Sequence, residues 1–182
     1  MSSGSSSSLG GFAQVTDHLF IGTSKTASDS RILQSLNITC IINSTQNTHN
    51  SNTHLPSAHY MQIPVPDDPS CRLSEYFHSV SDKIQQVSEE RGRVLLHCNA
   101  GVSRSASLCL AFLIKHHRLT LREAHQMLKA KRPIIRPNNG FWSQLVEFEL
   151  SIHGRNTVRM IDSPVGIIPD LYEMETRGLI PL

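Results

Sequence analysis

The most constraining feature of the sequence is an uninterrupted apolar run, Leu108–Ile114, which follows a short apolar segment, Val94–His97. A helix that is apolar on all sides is buried, so the long run predicts a helix at the centre of the fold, beginning near Ser103. The short segment predicts a buried strand. Few residues separate the two, and Gly101 lies among them. The sequence therefore predicts a strand, a tight loop and the N-terminus of a central helix.

The rest of the chain alternates between short β-branched runs and longer stretches with helical spacing, which is an α/β rhythm. Further strands are predicted at His18–Gly22, Thr39–Ser44 and Tyr60–Val65. Further helices are predicted over Leu73–Arg91, from the Thr120 and Glu123 capping box to Lys131, and over Asn139–Gly154.

A chain of 182 residues and 20.3 kDa corresponds to one domain with a substantial core. Residues 1–8 contain almost only serine and glycine, and we expect a disordered tail there. Residues 9–154 are expected to form the domain. Residues 155–182 hold three prolines and scattered apolar side chains, and we expect an extension that packs on the same domain.

Charge and cysteine content exclude several classes of protein. A net charge of +2 does not indicate nucleic-acid binding. The four cysteines include no C-x-x-C pair, so we expect free thiols and a cytoplasmic or nuclear location. The ten histidines show no metal-ligand spacing, and we expect no metal. The longest apolar run is far shorter than the roughly 18 residues of a transmembrane helix.

The loop between the strand and the central helix is suited to bind an anion. N–H groups at a helix N-terminus lack intrahelical partners, and the helix dipole adds partial positive charge. We expect a phosphate to be surrounded by Asn99, Ala100, Gly101, Val102, Ser103 and Arg104. Gly101 permits a tight turn, and the Arg104 guanidinium can hold two phosphate oxygens.

The same surroundings would stabilise a thiolate at Cys98, which directly follows the strand. Cys98 is therefore the candidate nucleophile. Ser105 is placed to donate a hydrogen bond to that sulfur and to make it a better leaving group. His97 is expected to order the loop from its buried side, because a preformed thiolate needs no base.

The pattern H-C-x-x-G-x-x-R-S is the active-site motif of the cysteine-dependent protein tyrosine phosphatases, and the segment His97–Ser105 contains it completely. The segments Lys131–Pro133 and Arg136–Phe141 resemble those of the dual-specificity phosphatases, and the resemblance covers residues 12–153. The C-terminal tail from Val158 resembles the small atypical branch, which lacks a kinase-docking domain.

The resemblance implies an α/β fold: a central mixed, mainly parallel sheet flanked by helices, with the phosphate-binding loop between a buried strand and the central helix. It implies hydrolysis of phosphotyrosine and phosphoserine or phosphothreonine in proteins, through a phosphocysteine at Cys98 and without cofactors. The family needs a general acid, and Asp67, 31 residues before Cys98, fits better than Asp68. Asn138 matches an asparagine that binds the backbone near the phosphate loop, so the resemblance implies the same supporting contact here. MAP kinases are the partners that the family suggests.

Two other functions remain open. A lipid or RNA phosphatase can use the same scaffold, although lipid-specific relatives often carry lysines in the loop, where this chain has neutral residues. A phosphosite-binding module without turnover is the other possibility, but such modules usually lack the cysteine or the acid. The basic residues Lys129, Lys131, Arg132 and Arg136 fit two interpretations equally well: a rim that attracts phosphorylated substrates, or a solvated helix end.

Overall fold

A five-stranded sheet forms the centre of the protein, for which a computed structural model describes residues 11–47 and 55–173. Its strands are β1 Phe12–Thr16, β2 Leu19–Gly22, β3 Cys40–Asn43, β4 His59–Gln62 and β5 Val94–His97. The spatial order is β1-β2-β5-β3-β4. β1 pairs antiparallel with β2, and the other three pairs are parallel. The predicted mixed, mainly parallel sheet is confirmed.

Helices cover both faces of this sheet. They are α1 Ser24–Ala27, α2 Ser30–Ser35, α3 Phe77–Glu89, α4 Arg104–His116, α5 Leu121–Lys131 and α6 Asn139–His153. Side chains alternate along each strand, so Val94 and Leu96 join the larger core cluster with α4, whereas Leu95 joins the smaller cluster with α2. The four longer helices, α3 to α6, all contribute to the larger cluster.

Two helix boundaries follow the chemistry that the sequence predicts. The Thr120 side chain accepts a hydrogen bond from the Glu123 amide, and the Glu123 carboxylate accepts one from the Thr120 amide, so the capping box is present. Gly154 adopts a left-handed conformation with φ of 74° and ends α6. The predicted helix from Leu73 differs in its first turn: Leu73–Tyr76 is a 3-10 helix, and α3 follows it.

After α6 the chain forms an antiparallel hairpin of β6 Met160–Ser163 and β7 Gly166–Pro169. Buried side chains, Val158, Ile168 and Tyr172, join the larger core cluster. The tail expected at residues 1–8 and the end of the extension, residues 174–182, lie outside the described residues. In residues 11–47 and 55–173, no helix combines the length and apolarity needed to span a membrane.

Candidate active site

The loop between β5 and α4 is held in place through its carbonyl groups. Every carbonyl oxygen from His97 to Ser103 accepts a hydrogen bond from a residue outside the stretch 97–103. The donors are Ser44 for His97, Ser24 for Cys98 and Asn99, Arg132 for Ala100 and Gly101, the Arg136 amide for Val102, and Ser107 for Ser103. A peptide unit is planar with its C=O and N–H groups on opposite sides. The N–H group of each of these peptide units therefore points away from the donor that its carbonyl oxygen contacts.

Gly101 adopts a φ of +66°, which favours glycine. A Cβ atom at this position would also lie 2.8 Å from the Gly22 carbonyl oxygen and 2.9 Å from Arg132 Nη2. Both the conformation and the space therefore require glycine, as the sequence predicted for a tight turn at this point.

Arg132 lies under the loop, and neither interpretation of the basic residues after α5 predicted this. Its side chain is only 1% exposed, so it belongs neither to a basic rim nor to a solvated helix end. Nε donates to the Gly101 oxygen at 2.9 Å, and Nη2 donates to the Ala100 oxygen at 3.1 Å. Burial lowers the pKa of Arg132, and attraction to the Cys98 sulfur opposes that shift. Arg132 thus places a cation behind the loop.

Cys98 and Ser105 lie together at the base of the loop, and both are buried. The Cys98 sulfur is 3.2 Å from the Ser105 hydroxyl oxygen, which is within hydrogen-bonding distance for sulfur. Next to Cys98, the buried His97 has a pKa lowered to about 4 by desolvation, so its ring is neutral at pH 7. Its Nδ1 atom has no hydrogen-bond partner among the described residues. Its burial and low pKa make this ring a weak base, which agrees with a supporting role.

The Arg104 guanidinium connects the phosphate loop to the loop that follows β4. Arg104 is 8% exposed, and its Nη1 donates to the Val65 carbonyl oxygen at 2.9 Å. Its Nε atom has no hydrogen-bond partner within residues 11–47 and 55–173. A buried N–H that lacks a partner costs free energy, and a phosphate oxygen in the loop would satisfy it.

The two candidate acids, Asp67 and Asp68, have different surroundings. The Asp67 carboxylate is exposed and accepts a hydrogen bond from Asn138 Nδ2 at 2.9 Å. Asp68 instead accepts bonds from the amide and hydroxyl of Ser70, and these lower the pKa of Asp68 below its usual value. Asn138 also donates its backbone N–H to Ser103, so the Asp67 carboxylate is the one connected through Asn138 to the phosphate loop.

Asn138 joins the two loops, but by other atoms than expected. The resemblance implied that Asn138 binds the backbone of the phosphate loop, whereas its own backbone N–H donates to the Ser103 hydroxyl at 3.0 Å. The side chain caps α6 by accepting from the Phe141 amide, and its Nδ2 holds Asp67. One asparagine thus contacts the start of α6, the phosphate loop and the loop of residues 63–72 that carries the candidate acid Asp67 (the acid loop).

Sequence reasoning missed three supporting residues: Ser24, Arg132 and Gly140. Gly140 lies against the acid loop, where a Cβ atom would collide with the Pro69 backbone. The sequence contains no local signal for these roles, because each residue meets its partner across 31 to 75 positions of the chain. Among the described residues, no cluster of three or more His, Cys, Asp or Glu side chains fits a metal ion.

Comparisons with known proteins agree with this geometry. Residues 19–151 match the family described as dual specificity phosphatase, catalytic domain. The chain is 49% identical to rat dual specificity protein phosphatase 18 over 175 residues, covering 96% of this chain and 85% of the relative. It is 47% identical to human dual specificity protein phosphatase 14 over 173 residues, covering 95% of this chain and 86% of the relative. A crystal structure of a mouse putative dual specificity phosphatase complexed with zinc tungstate superposes with a TM-score of 0.75 at 30% identity, covering 85% of this chain and 94% of that one.

Two features together define a cysteine-dependent phosphatase: a sheet with helices on both faces, and a cysteine-containing loop before a buried helix. The chain belongs to the dual specificity phosphatase family, and it is a protein phosphatase. The predicted family and enzyme class are confirmed, and the α/β fold matches that of its structural neighbours.

Proposed function

We propose that Cys98 attacks phosphoprotein substrates as a thiolate and carries the phosphoryl group between two steps. In the first, the sulfur forms a bond to phosphorus, the phosphorus–oxygen bond to the substrate breaks, and Asp67 protonates the departing oxygen. The N–H groups from Asn99 to Arg104 and the Arg104 guanidinium hold the phosphate oxygens. The outward hydrogen bonding of all the loop carbonyls carries this proposal, because it leaves the N–H groups for the phosphate.

In the second step the Asp67 carboxylate takes a proton from water, and the water oxygen bonds to phosphorus. The sulfur–phosphorus bond breaks and inorganic phosphate leaves. The Ser105 hydroxyl, 3.2 Å from the sulfur, stabilises the departing thiolate. Neither step needs a metal or a cofactor. Tungstate is a tetrahedral oxyanion like phosphate, and the complex of the similar mouse protein with zinc tungstate supports an oxyanion site here.

The test is steady-state hydrolysis of an aryl phosphate by the wild type, Cys98→Ser and Asp67→Asn. We expect activity that survives EDTA, is abolished by Cys98→Ser and falls about 100-fold or more in Asp67→Asn. Asp68→Asn is the matched control and should retain most activity. Full activity in Cys98→Ser would refute the proposal. An inactive but folded wild type that binds phosphoproteins would support the binding module instead.

The physiological setting is a further part of the proposal. Residues 9–154 act as the catalytic domain and residues 155–182 as its extension, and the protein works in the cytoplasm or nucleus. The four free cysteines fit a reducing compartment, in which the Cys98 thiol stays available. MAP kinases are the proposed substrates, by resemblance to the family. Doubly phosphorylated MAP kinase should lose phosphate with the wild type and keep it with Cys98→Ser, as read with phosphosite-specific antibodies.

A further inference from the structure

A surface groove of about 350 Å³ lies beside the acid loop. Three segments form its walls: Pro69 of the acid loop, residues 136–139 at the start of α6, and the β6–β7 hairpin through Val165 and Ile168. The groove therefore lies where the C-terminal extension meets the catalytic elements.

Two residues that line the groove also contact the catalytic loops. Asn138 lines it, and the same side chain donates to the Asp67 carboxylate at 2.9 Å. Arg136 also lines the groove, and its amide donates to the Val102 oxygen of the phosphate loop at 2.8 Å. One layer of residues thus separates the groove from both catalytic loops.

The hairpin presents an unusual apolar surface to this groove. Val165 is 68% exposed, which is the largest exposure among the large apolar side chains that the structure describes. The turn that carries it is fixed, because the Ser163 hydroxyl donates to the Gly166 oxygen and accepts from the Val165 amide. Ile168 anchors the following strand in the core. Val165 is therefore an apolar contact available to a substrate segment that lies in the groove.

We propose that this groove is a substrate subsite that binds an apolar side chain close to the phosphorylated residue of the protein substrate. The inference rests on the proposed function, since it assigns a second part of the substrate to the same site. Because Asn138 contacts both Asp67 and the groove, the side chain that binds in the groove belongs to a residue close to the phosphoresidue in the substrate sequence.

The test uses phosphotyrosine peptides in which a single leucine is moved through the flanking positions of an alanine background. We expect wild type to prefer leucine at one flanking position, by about fivefold to tenfold in kcat/KM, the effect of burying one or two methylene groups. Val165→Asp should remove this preference, and Val165→Ser should reduce it. Hydrolysis of a small aryl phosphate, which does not reach the groove, should remain within about twofold of wild type in both variants.

Leu150→Asp is the matched control, because Leu150 is 50% exposed on α6 and does not line the groove. It should keep the leucine preference. A wild type without any positional preference, or a Val165→Asp variant that keeps it, would overturn the subsite. Loss of aryl phosphate turnover in a folded Val165→Asp variant would also overturn it, since the hairpin would then act on the catalytic centre itself. A wild type that hydrolyses no aryl phosphate would instead refute the proposed function.

Discussion

Arg132 gives the sharpest test of how the phosphate loop is held. Arg132→Met keeps an unbranched side chain but removes the charge and both hydrogen bonds to the loop. Arg132→Lys keeps the charge and replaces the planar guanidinium by an ammonium group, which does not reproduce the two bonds to adjacent carbonyls. The pair therefore separates the contribution of charge from that of geometry.

The hydrogen bonds from Arg132 to the loop determine how much stability we expect these variants to lose. Hydrogen bonds to charged groups contribute about 1.5–3 kcal/mol each. Two such bonds join Arg132 to the Gly101 and Ala100 oxygens, at 2.9 and 3.1 Å. Their loss in Arg132→Met should lower the free energy of unfolding by about 3–6 kcal/mol, and Arg132→Lys should lower it by about half of that. A loop displaced by about 1 Å can cost about 100-fold in rate, so we expect kcat/KM to fall about 100-fold in Arg132→Met and less in Arg132→Lys.

The assay combines urea unfolding with kcat/KM for an aryl phosphate. Both quantities should fall further in Arg132→Met than in Arg132→Lys. Lys131→Met removes an exposed charge one residue away and should change neither. An Arg132→Met variant with wild-type kcat/KM would show that the loop does not depend on Arg132.

Three further predictions concern the loop, the acid and the extension. The pKa of His97 is about 4 in the folded chain and 6.5 in the unfolded chain. Between these two pH values the unfolded chain binds the proton and the folded chain does not, so stability falls as the pH is lowered from 6.5. The loss of stability should reach about 2 kcal/mol at pH 5 and be absent in His97→Asn, as measured by urea unfolding. Gly140→Ala should displace the acid loop through Pro69 and slow hydrolysis about 100-fold for poor leaving groups but less for good ones; equal slowing would contradict this. The buried Glu149 carboxylate accepts hydrogen bonds from the Leu121 amide and from the amide and hydroxyl of Thr157, and so joins the extension to α5. Glu149→Gln puts an NH2 group where one of these donors needs an acceptor and should lower the free energy of unfolding by about 2–4 kcal/mol, whereas unchanged urea unfolding would show that this carboxylate does not stabilise the extension.

Local patterns predicted the elements whose chemistry is itself local. The capping box at Thr120, the buried helix after Ser103 and the stop at Gly154 each depend on neighbouring residues, and the structure has all three. The strand β1 was missed because it is a five-residue edge strand with a register shift between Gln14 and Thr16.

The sequence did not predict the supports of the site, because they depend on long-range packing. Arg132 follows a helix with basic residues in its last turn, which is equally typical of a solvated helix end. Only the fold brings it under Ala100 and Gly101. The hairpin at β6 and β7 was likewise expected only as an extension, since its four-residue strands carry little periodicity.

Acid-quench mass spectrometry of the Ser105→Ala variant during turnover tests whether a phosphoryl group resides on Cys98 between the two steps. Without the Ser105 hydroxyl the thiolate is a poorer leaving group, so the second step slows and the intermediate accumulates. We expect one added phosphoryl group on the peptide that contains Cys98. A phosphoryl group found on another residue, or a Ser105→Ala enzyme that turns over slowly with no phosphorylated protein, would contradict it.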